Sequence, residues 1–371
     1  MKLLILSSNN GGGHNSVAAA IREYYELQGN EVVVEDCVSF LSERVSDLMS
    51  SSHVFIYRHL PVFFEDSYRN GSAKNKLFEE EQPFRQIINL GKYNLGEFIQ
   101  EEGFHTVICT HVVGGMMLTA AIEQFNLSIR TAIVETDYCN TPGSINNDLD
   151  YHFIPYATLA HELVHYGIDE KRIVVSGIPV RSEAVSTKNK AESKAKLGIP
   201  ENRAHVLVMG GSMGGGLIPS LAEQLYEAVR EIADVSIICG TNEKLKKAIR
   251  AKHKGQKDIH VYGFVKDMSE LYSSADVFVT KPGGISTTEA AVNGLPMVLL
   301  NGAAACEELN LNFFVDHGAA ISGKTEAELA KACRTLLEDE GKRSTMSEIL
   351  RRIGNRDAAK IIYETLEKPK K

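Results

Sequence analysis

Two doubly wound α/β domains in tandem are what the sequence predicts, and three observations predict them. Short apolar runs alternate with helical patterns along the whole chain, the signature of parallel α/β layers. A strand followed by a glycine-rich turn and a helix occurs twice, at Ser7–His14 and again at 210–216. The 371 residues suffice for two full cores at roughly 100–200 residues per domain.

In the first half the strand-like runs are Lys2–Ser7, Glu31–Glu35, Thr106–Cys109, Thr131–Val134, Tyr151–Ile154 and Arg172–Val175. In the second half they are His205–Met209, Val235–Cys239, Ile259–Tyr262, Val277–Thr280, Met297–Leu300 and Ala319–Ile321. Most read as nearly continuous Val, Ile and Leu, as strands buried on both faces should. Between them lie periodic helices, such as Ser16–Leu27 with Val17, Ile21 and Tyr24 on one side. The apolar stretch Val112–Ile122 is too short for a membrane span and reads as a buried helix. Val38–Gly103 departs from the alternation, being long and helical in pattern. Polar Ser186–Asn202 separates the two series, which sets the domains at 1–185 and 204–371 with a linker over 186–203. The last helix is free to pack back on the first domain.

Composition narrows the class. Forty Lys+Arg against 48 Asp+Glu give a net charge of -8, with 43% hydrophobic and 24% charged residues. That fits a soluble globular protein and gives no support to general nucleic-acid binding. Met1–Leu6 is too short for a signal-peptide core. The six cysteines lie far apart without metal-ligand spacing, so reduced core thiols and a cytoplasmic setting are expected. His161 and His165 stand i, i+4 on a helix, but no third ligand lies nearby, and no metal is expected.

Ligands of open parallel sheets bind at the carboxyl ends of strands. The first such turn is Asn9-Asn10-Gly11-Gly12-Gly13-His14. Its glycines let backbone amides approach a ligand, and the helix start favours negative charge. It has neither the Lys of a phosphate-binding P-loop nor dinucleotide spacing. A neutral His14 there suits proton abstraction from a hydroxyl; capping its own helix is the bland alternative. In the second half, Gly210-Gly211-Ser212-Met213-Gly214 offers amides and a hydroxyl suited to a diphosphate. Further on, Lys281-Pro282-Gly283-Gly284 turns the chain and Ser286-Thr287-Thr288 opens a helix, with Glu289 expected in its first turn. That carboxylate either accepts from a ribose diol or offsets the helix dipole.

At these residues the sequence resembles the GT-B glycosyltransferases. The branch is that of the monogalactosyldiacylglycerol synthases and bacterial processive diacylglycerol glucosyltransferases, related to the transferase that adds N-acetylglucosamine to lipid I. The resemblance covers nearly the whole chain. It is carried by Gly11–His14, Glu135-Thr136-Asp137, Ser176–Val180, Gly210–Gly214, and the stretch from Gly263 through Lys281–Gly284 to Glu289-Ala290. It implies two Rossmann-like domains facing a cleft, a UDP-sugar held by the second and an acceptor by the first. Residue by residue, it implies that the backbone at Phe264-Val265 holds uracil and Glu289 the ribose. Gly211, Ser212, Met213, Gly284, Ile285, Ser286 and Thr287 would surround the diphosphate, and Glu307 and Asn310 would contact the sugar. His14 would be the base of an inverting displacement, assisted by Asp137, with Gly12, Gly13 and His111 on the acceptor side. No cofactor beyond the donor is implied.

The chain differs from that family at Ala305-Cys306, Asn9-Asn10 and Cys139–Ile145, so the resemblance fixes neither hexose nor acceptor. Diacylglycerol or a glycolipid is the expected acceptor, with peripheral contact at the inner face of the cell membrane. Phe55–Phe64 with Arg58 and His59 is the candidate interfacial segment, or else a core helix. A UDP-N-acetylglucosamine 2-epimerase and a low-turnover nucleotide-sugar-binding module are the competing readings.

Overall fold

In the computed structural model the described residues are 1–9, 12–41, 79, 81–211, 219–302 and 304–367. Gly11, Ser212, Met213, the segment Phe55–Phe64 and the tail Lys368–Lys371 lie outside them. The chain forms two compact units, Met1–Arg181 with Asp357–Lys371, and Ser182–Arg356.

The first unit is built on a six-stranded parallel sheet: β1 Lys2–Ser7, β2 Glu31–Asp36, β3 Thr106–Cys109, β4 Arg130–Val134, β5 Tyr151–Ile154 and β6 Ile173–Val175, in the order β2-β1-β3-β4-β5-β6. β1 pairs with β2 on one side, Leu4 facing Val33, and with β3 on the other, Leu4 facing Val107. Leu3, Leu4, Ile5 and Leu6 are fully buried because helices cover both faces of a parallel sheet. The helix Val112–Phe125 packs tightly here because it carries two glycines. A Cβ on Gly114 would stand 3.2 Å from the Cβ atoms of Cys37 and Leu6, and one on Gly115 would overlap Asn147 Oδ1 at 2.2 Å.

The second unit repeats the plan with β7 Ala204–Met209, β8 Ala233–Ile238, β9 Ile259–Tyr262, β10 Val277–Thr280, β11 Met297–Leu299 and β12 Ala320–Ser322. Its order is β12-β11-β10-β7-β8-β9, again all parallel. In both sheets the direction of winding reverses beside the first strand, between β1 and β3 and between β7 and β10. Those are the switch points at which open α/β sheets leave a crevice.

Two details of the domain layout differ from the reading of the sequence. The first is that the stretch taken as linker contains a helix, Lys190–Leu197, within the second unit. Asn189 caps it through Ala191 and Glu192 N–H groups, and Lys190 and Lys194 pair with Asp276. The second is that the chain passes into the second unit at Ser182, four residues earlier than the linker was placed. The C-terminal helix Ala358–Glu367 belongs to the first unit. Tyr363 stacks edge-on against Tyr25 at 4.9 Å, and the Arg130 guanidinium donates to the Leu366 carbonyl.

Candidate active site

In the first unit the turn after β1 and the turn after β3 meet at the switch point. Gly12 and Gly13 open the helix Gly12–Leu27, which places His14 in its first turn, half-buried. His14 Nδ1 lies 2.6 Å from the Thr110 carbonyl oxygen. A carbonyl only accepts, so Nδ1 carries the proton and the lone pair of the neutral ring sits on Nε2. Thr136 Oγ1 is 3.3 Å from the same Nδ1, and its hydroxyl lies 3.4 Å from Asp137 Oδ2. Asp137 therefore acts on the ring by its charge and through the Thr136 hydroxyl.

Burial holds the His14 imidazole below its ordinary pKa of 6.5, while the Asp137 charge and the Thr110 bond pull the other way. The neutral, proton-accepting form thus prevails at neutral pH.

His111 follows β3 and caps the helix Val112–Phe125, its Nδ1 accepting 3.2 Å from the Val113 N–H. Its neutral proton consequently sits on Nε2, the opposite tautomer to His14. The two rings stand edge to face at 4.8 Å, and burial together with the neighbouring imidazole keeps His111 neutral.

One residue past β4, Glu135, 3% exposed, accepts from Thr141 Oγ1 at 2.5 Å and from the Ser144 hydroxyl. Burial outweighs those bonds and raises its pKa from 4.5 to about 7. It ties the turn Thr141–Ser144 to the end of β4.

In the second unit the described donor residues lie at the carboxyl ends of four strands. Gly211 follows β7 with φ +78°, a backbone that favours glycine. Phe264, 59% exposed, and Val265 follow β9. The helix Gly284–Asn293 follows β10, and Glu307 and Asn310 lie on the helix Ala305–Asp316 after β11. Within the helix Gly284–Asn293, Thr287 N–H is the first to reach back, to Gly283 O at 3.1 Å. The amides of Gly284, Ile285 and Ser286 form the open first turn, which favours an anion. The hydroxyl of Thr287 is turned inward instead, donating to Gly283 O at 3.0 Å, because a buried hydroxyl needs an acceptor.

Glu289 sits in the second turn of this helix rather than the first, since the helix starts at Gly284 and not at Ser286. Its distance from the first turn weakens the dipole-offset reading. Tyr272 from the helix Ser269–Ser274 donates to Glu289 Oε2 at 2.6 Å and fixes the buried carboxylate. Asn310 Nδ2 donates to the Pro282 carbonyl at 3.0 Å, and Glu307 pairs with Lys281 Nζ. Reading the sequence assigned no role to Thr110, Thr136, Tyr272 or Lys281, although Thr136 and Lys281 stood within recognisable motifs.

His161 and His165 lie on the helix Ala160–His165 after β5. All six cysteines are free thiols; five are buried and Cys306 is half-buried. Among the described residues no helix is long and apolar enough to cross a membrane.

Comparison with known proteins divides the chain in the same way. Residues 14–180 match the family model of monogalactosyldiacylglycerol synthase, and residues 218–352 that of glycosyl transferases group 1. The chain is 26% identical over 375 residues to a processive diacylglycerol beta-glucosyltransferase of Bacillus pumilus (strain SAFR-032), covering 98% of this chain and 94% of that protein. It is 27% identical to the corresponding enzyme of Bacillus cereus (strain B4264), covering 95% and 89%. Among solved structures it is similar to MurG of Acinetobacter baumannii, with TM-score 0.66 at 15% identity over 99% of each chain. It is also similar to UDP-GlcNAc 2-epimerase of Neisseria meningitidis bound to UDP-GlcNAc, with TM-score 0.63 at 17% identity over 100% of each. At such identities what is shared is the fold.

Proposed function

From a chain that joins these two domains, and is a glycosyltransferase of the GT-B architecture, we propose a specific reaction. It transfers a hexose, with inversion, from a UDP-sugar to a hydroxyl of diacylglycerol or a glycolipid. The observation that carries this reading is the tautomer of His14. With Nδ1–H spent on Thr110, Nε2 is the atom that accepts the acceptor's proton.

In the proposed step, the acceptor oxygen bonds to the anomeric carbon as the bond from that carbon to the diphosphate breaks. The proton passes to His14 Nε2. Asp137, acting across Thr136, offsets the imidazolium that forms. The electron pair leaves with the diphosphate, which the amides of Gly284, Ile285 and Ser286 stabilise, together with those of the turn at Gly211. Glu289, held by Tyr272, accepts from the ribose hydroxyls, and the backbone at Phe264-Val265 meets the uracil. Glu307 and Asn310 contact the hexose. Gly12, Gly13 and His111 shape the acceptor side. A nucleoside diphosphate is already a competent leaving group, so the reaction we propose needs no further cofactor.

The names of the Bacillus relatives support diacylglycerol as acceptor. A lipid acceptor in turn implies peripheral contact with a membrane surface at the cytoplasmic face. The test is UDP release from several UDP-hexoses, with and without diacylglycerol vesicles, repeated with a chelator. Release that requires vesicles and survives chelation is the expected result. Release at equal rate without any acceptor would sink the transfer reading.

A further inference from the structure

Lys281 pairs with Glu307, and its geometry gives it a further task. It leaves β10 directly at the second unit's switch point, beside β7. Its stem runs between the two glycine turns of that crevice. A Cβ on Gly211 would stand 2.9 Å from Lys281 Cε, and one on Gly283 would stand 3.6 Å from Cε and 3.9 Å from Nζ. Neither Gly211 nor Gly283 has a side chain where the lysine passes. The side chain is one-third exposed, and its ammonium pairs with Glu307. It therefore stands at the mouth of the open first turn whose amides belong to Gly284, Ile285 and Ser286.

The helix that carries Glu307 has a second tie to this turn, independent of the lysine. Glu307 and Asn310 already lie one turn apart on their helix, and Asn310 ties that helix to the Pro282 carbonyl. A helix start does not want a cation beside it, because its own partial charge is positive. A lysine beside an open helix N-terminus makes electrostatic sense when an anion sits between them.

We propose that Lys281 is a diphosphate-binding residue of the donor site. In the empty protein its ammonium is parked on Glu307. With donor bound, it contacts the phosphate oxygens and balances the negative charge that the leaving diphosphate gains when its bond to the anomeric carbon breaks. The lysine stays protonated throughout; the hydroxyl proton goes to His14. Release from Lys281 also frees Glu307 to accept from the hexose, so phosphate and sugar recognition are linked through one ion pair. This inference rests on the reading of the second unit as a UDP-sugar site, and the experiment separates the two.

Calorimetric binding of UDP and of uridine is measured for the intact chain and for Lys281→Met, Lys281→Arg and Glu307→Gln. Lys281→Met is expected to weaken UDP about tenfold or more, the loss of one charge-assisted contact, with uridine unchanged. Lys281→Arg restores most of the UDP affinity. Glu307→Gln, which keeps the ammonium and removes its partner, binds UDP at least as tightly as the unaltered chain. Equal UDP affinity in Lys281→Met would overturn the assignment while leaving the donor site intact. Equal losses for UDP and uridine would overturn it as well, since they would mark Lys281 as a support for the fold. An unaltered chain that binds neither ligand would overturn the donor-site reading and this assignment with it.

Discussion

The two units share one plan, a parallel six-stranded sheet with its switch point beside the first strand, yet they fill that crevice with opposite chemistry. The first unit places two neutral imidazoles there, His14 and His111, and one residue past β4 a carboxyl that burial raises to about 7. The second places open backbone amides, a fixed carboxylate and an ammonium there. One crevice is lined by groups that are neutral near pH 7, and the other by fixed charges of both signs. The same topology serves both because the crevice is made of turns, whose residues change without disturbing the strands.

The sharpest way to break this contrast is His14→Ala. Turnover should fall 10²–10⁴-fold, the usual contribution of a positioned base, while UDP affinity stays unchanged. UDP release and calorimetry on one preparation give both readings, and unchanged turnover would remove the proton-moving role from the first unit.

Glu135 tests whether that unit's burial has the expected electrical consequence. Its carboxyl keeps a proton up to about pH 7 in the folded chain, against 4.5 for an ordinary glutamate. Between those values the folded state holds more protons than the unfolded one, so stability declines as pH rises through that window. The decline is on the order of 3 kcal/mol at most, at 1.36 kcal/mol per unit. Glu135→Gln should flatten the dependence of the urea midpoint between pH 4.5 and 7, and an unaltered slope would assign the decline to other groups.

In the second unit, Tyr272→Phe removes the hydroxyl that fixes Glu289. A loss of about 1 kcal/mol, some fivefold in affinity, is expected equally for UDP and uridine. A loss for UDP alone would place Glu289 at the phosphates instead. The smallest effect is expected from Asp137→Asn. Protonation of His14 stops turnover as the pH falls, and the Asp137 charge raises that titration point. Removing the charge should move the acid limb of the pH profile to lower pH. Movement to higher pH would show that Asp137 does not act on the ring by charge.

Much of this architecture was readable in advance, for a physical reason. Strands such as Leu3–Leu6 and Val206–Val208 are buried on both faces, so they must be continuous apolar runs, and all twelve expected runs fall on strands of the two sheets. The glycine turns stood out for the same kind of reason, because close backbone approach excludes side chains. What was missed depends on distance along the chain or on backbone atoms. Thr110 meets His14 across 96 residues with its carbonyl, a group every residue possesses, so no residue type signals the contact. Tyr272 reads as an ordinary core aromatic until its hydroxyl is seen to end on Glu289. The turn assigned to Glu289 was wrong because Gly284 rather than a hydroxylated residue starts the helix. The helix Lys190–Leu197 was legible after all. Asn189 followed by Glu192 is a capping pattern, and the surrounding lysines obscured it.

The first unit is discontinuous: its sheet is complete by Arg181, but the helix that stacks on Tyr25 comes after 357. During synthesis this unit must therefore wait for the whole intervening domain to be translated before its last helix exists. At roughly 5–20 residues per second that delay is on the order of ten seconds or more. Through that interval the face of the helix Gly12–Leu27 that carries Tyr24 and Tyr25 stands uncovered on the nascent chain. Meanwhile the second unit, contiguous from Ser182 to Arg356, has all its own residues in hand. The half of the enzyme that is made first is thus the half that is finished last.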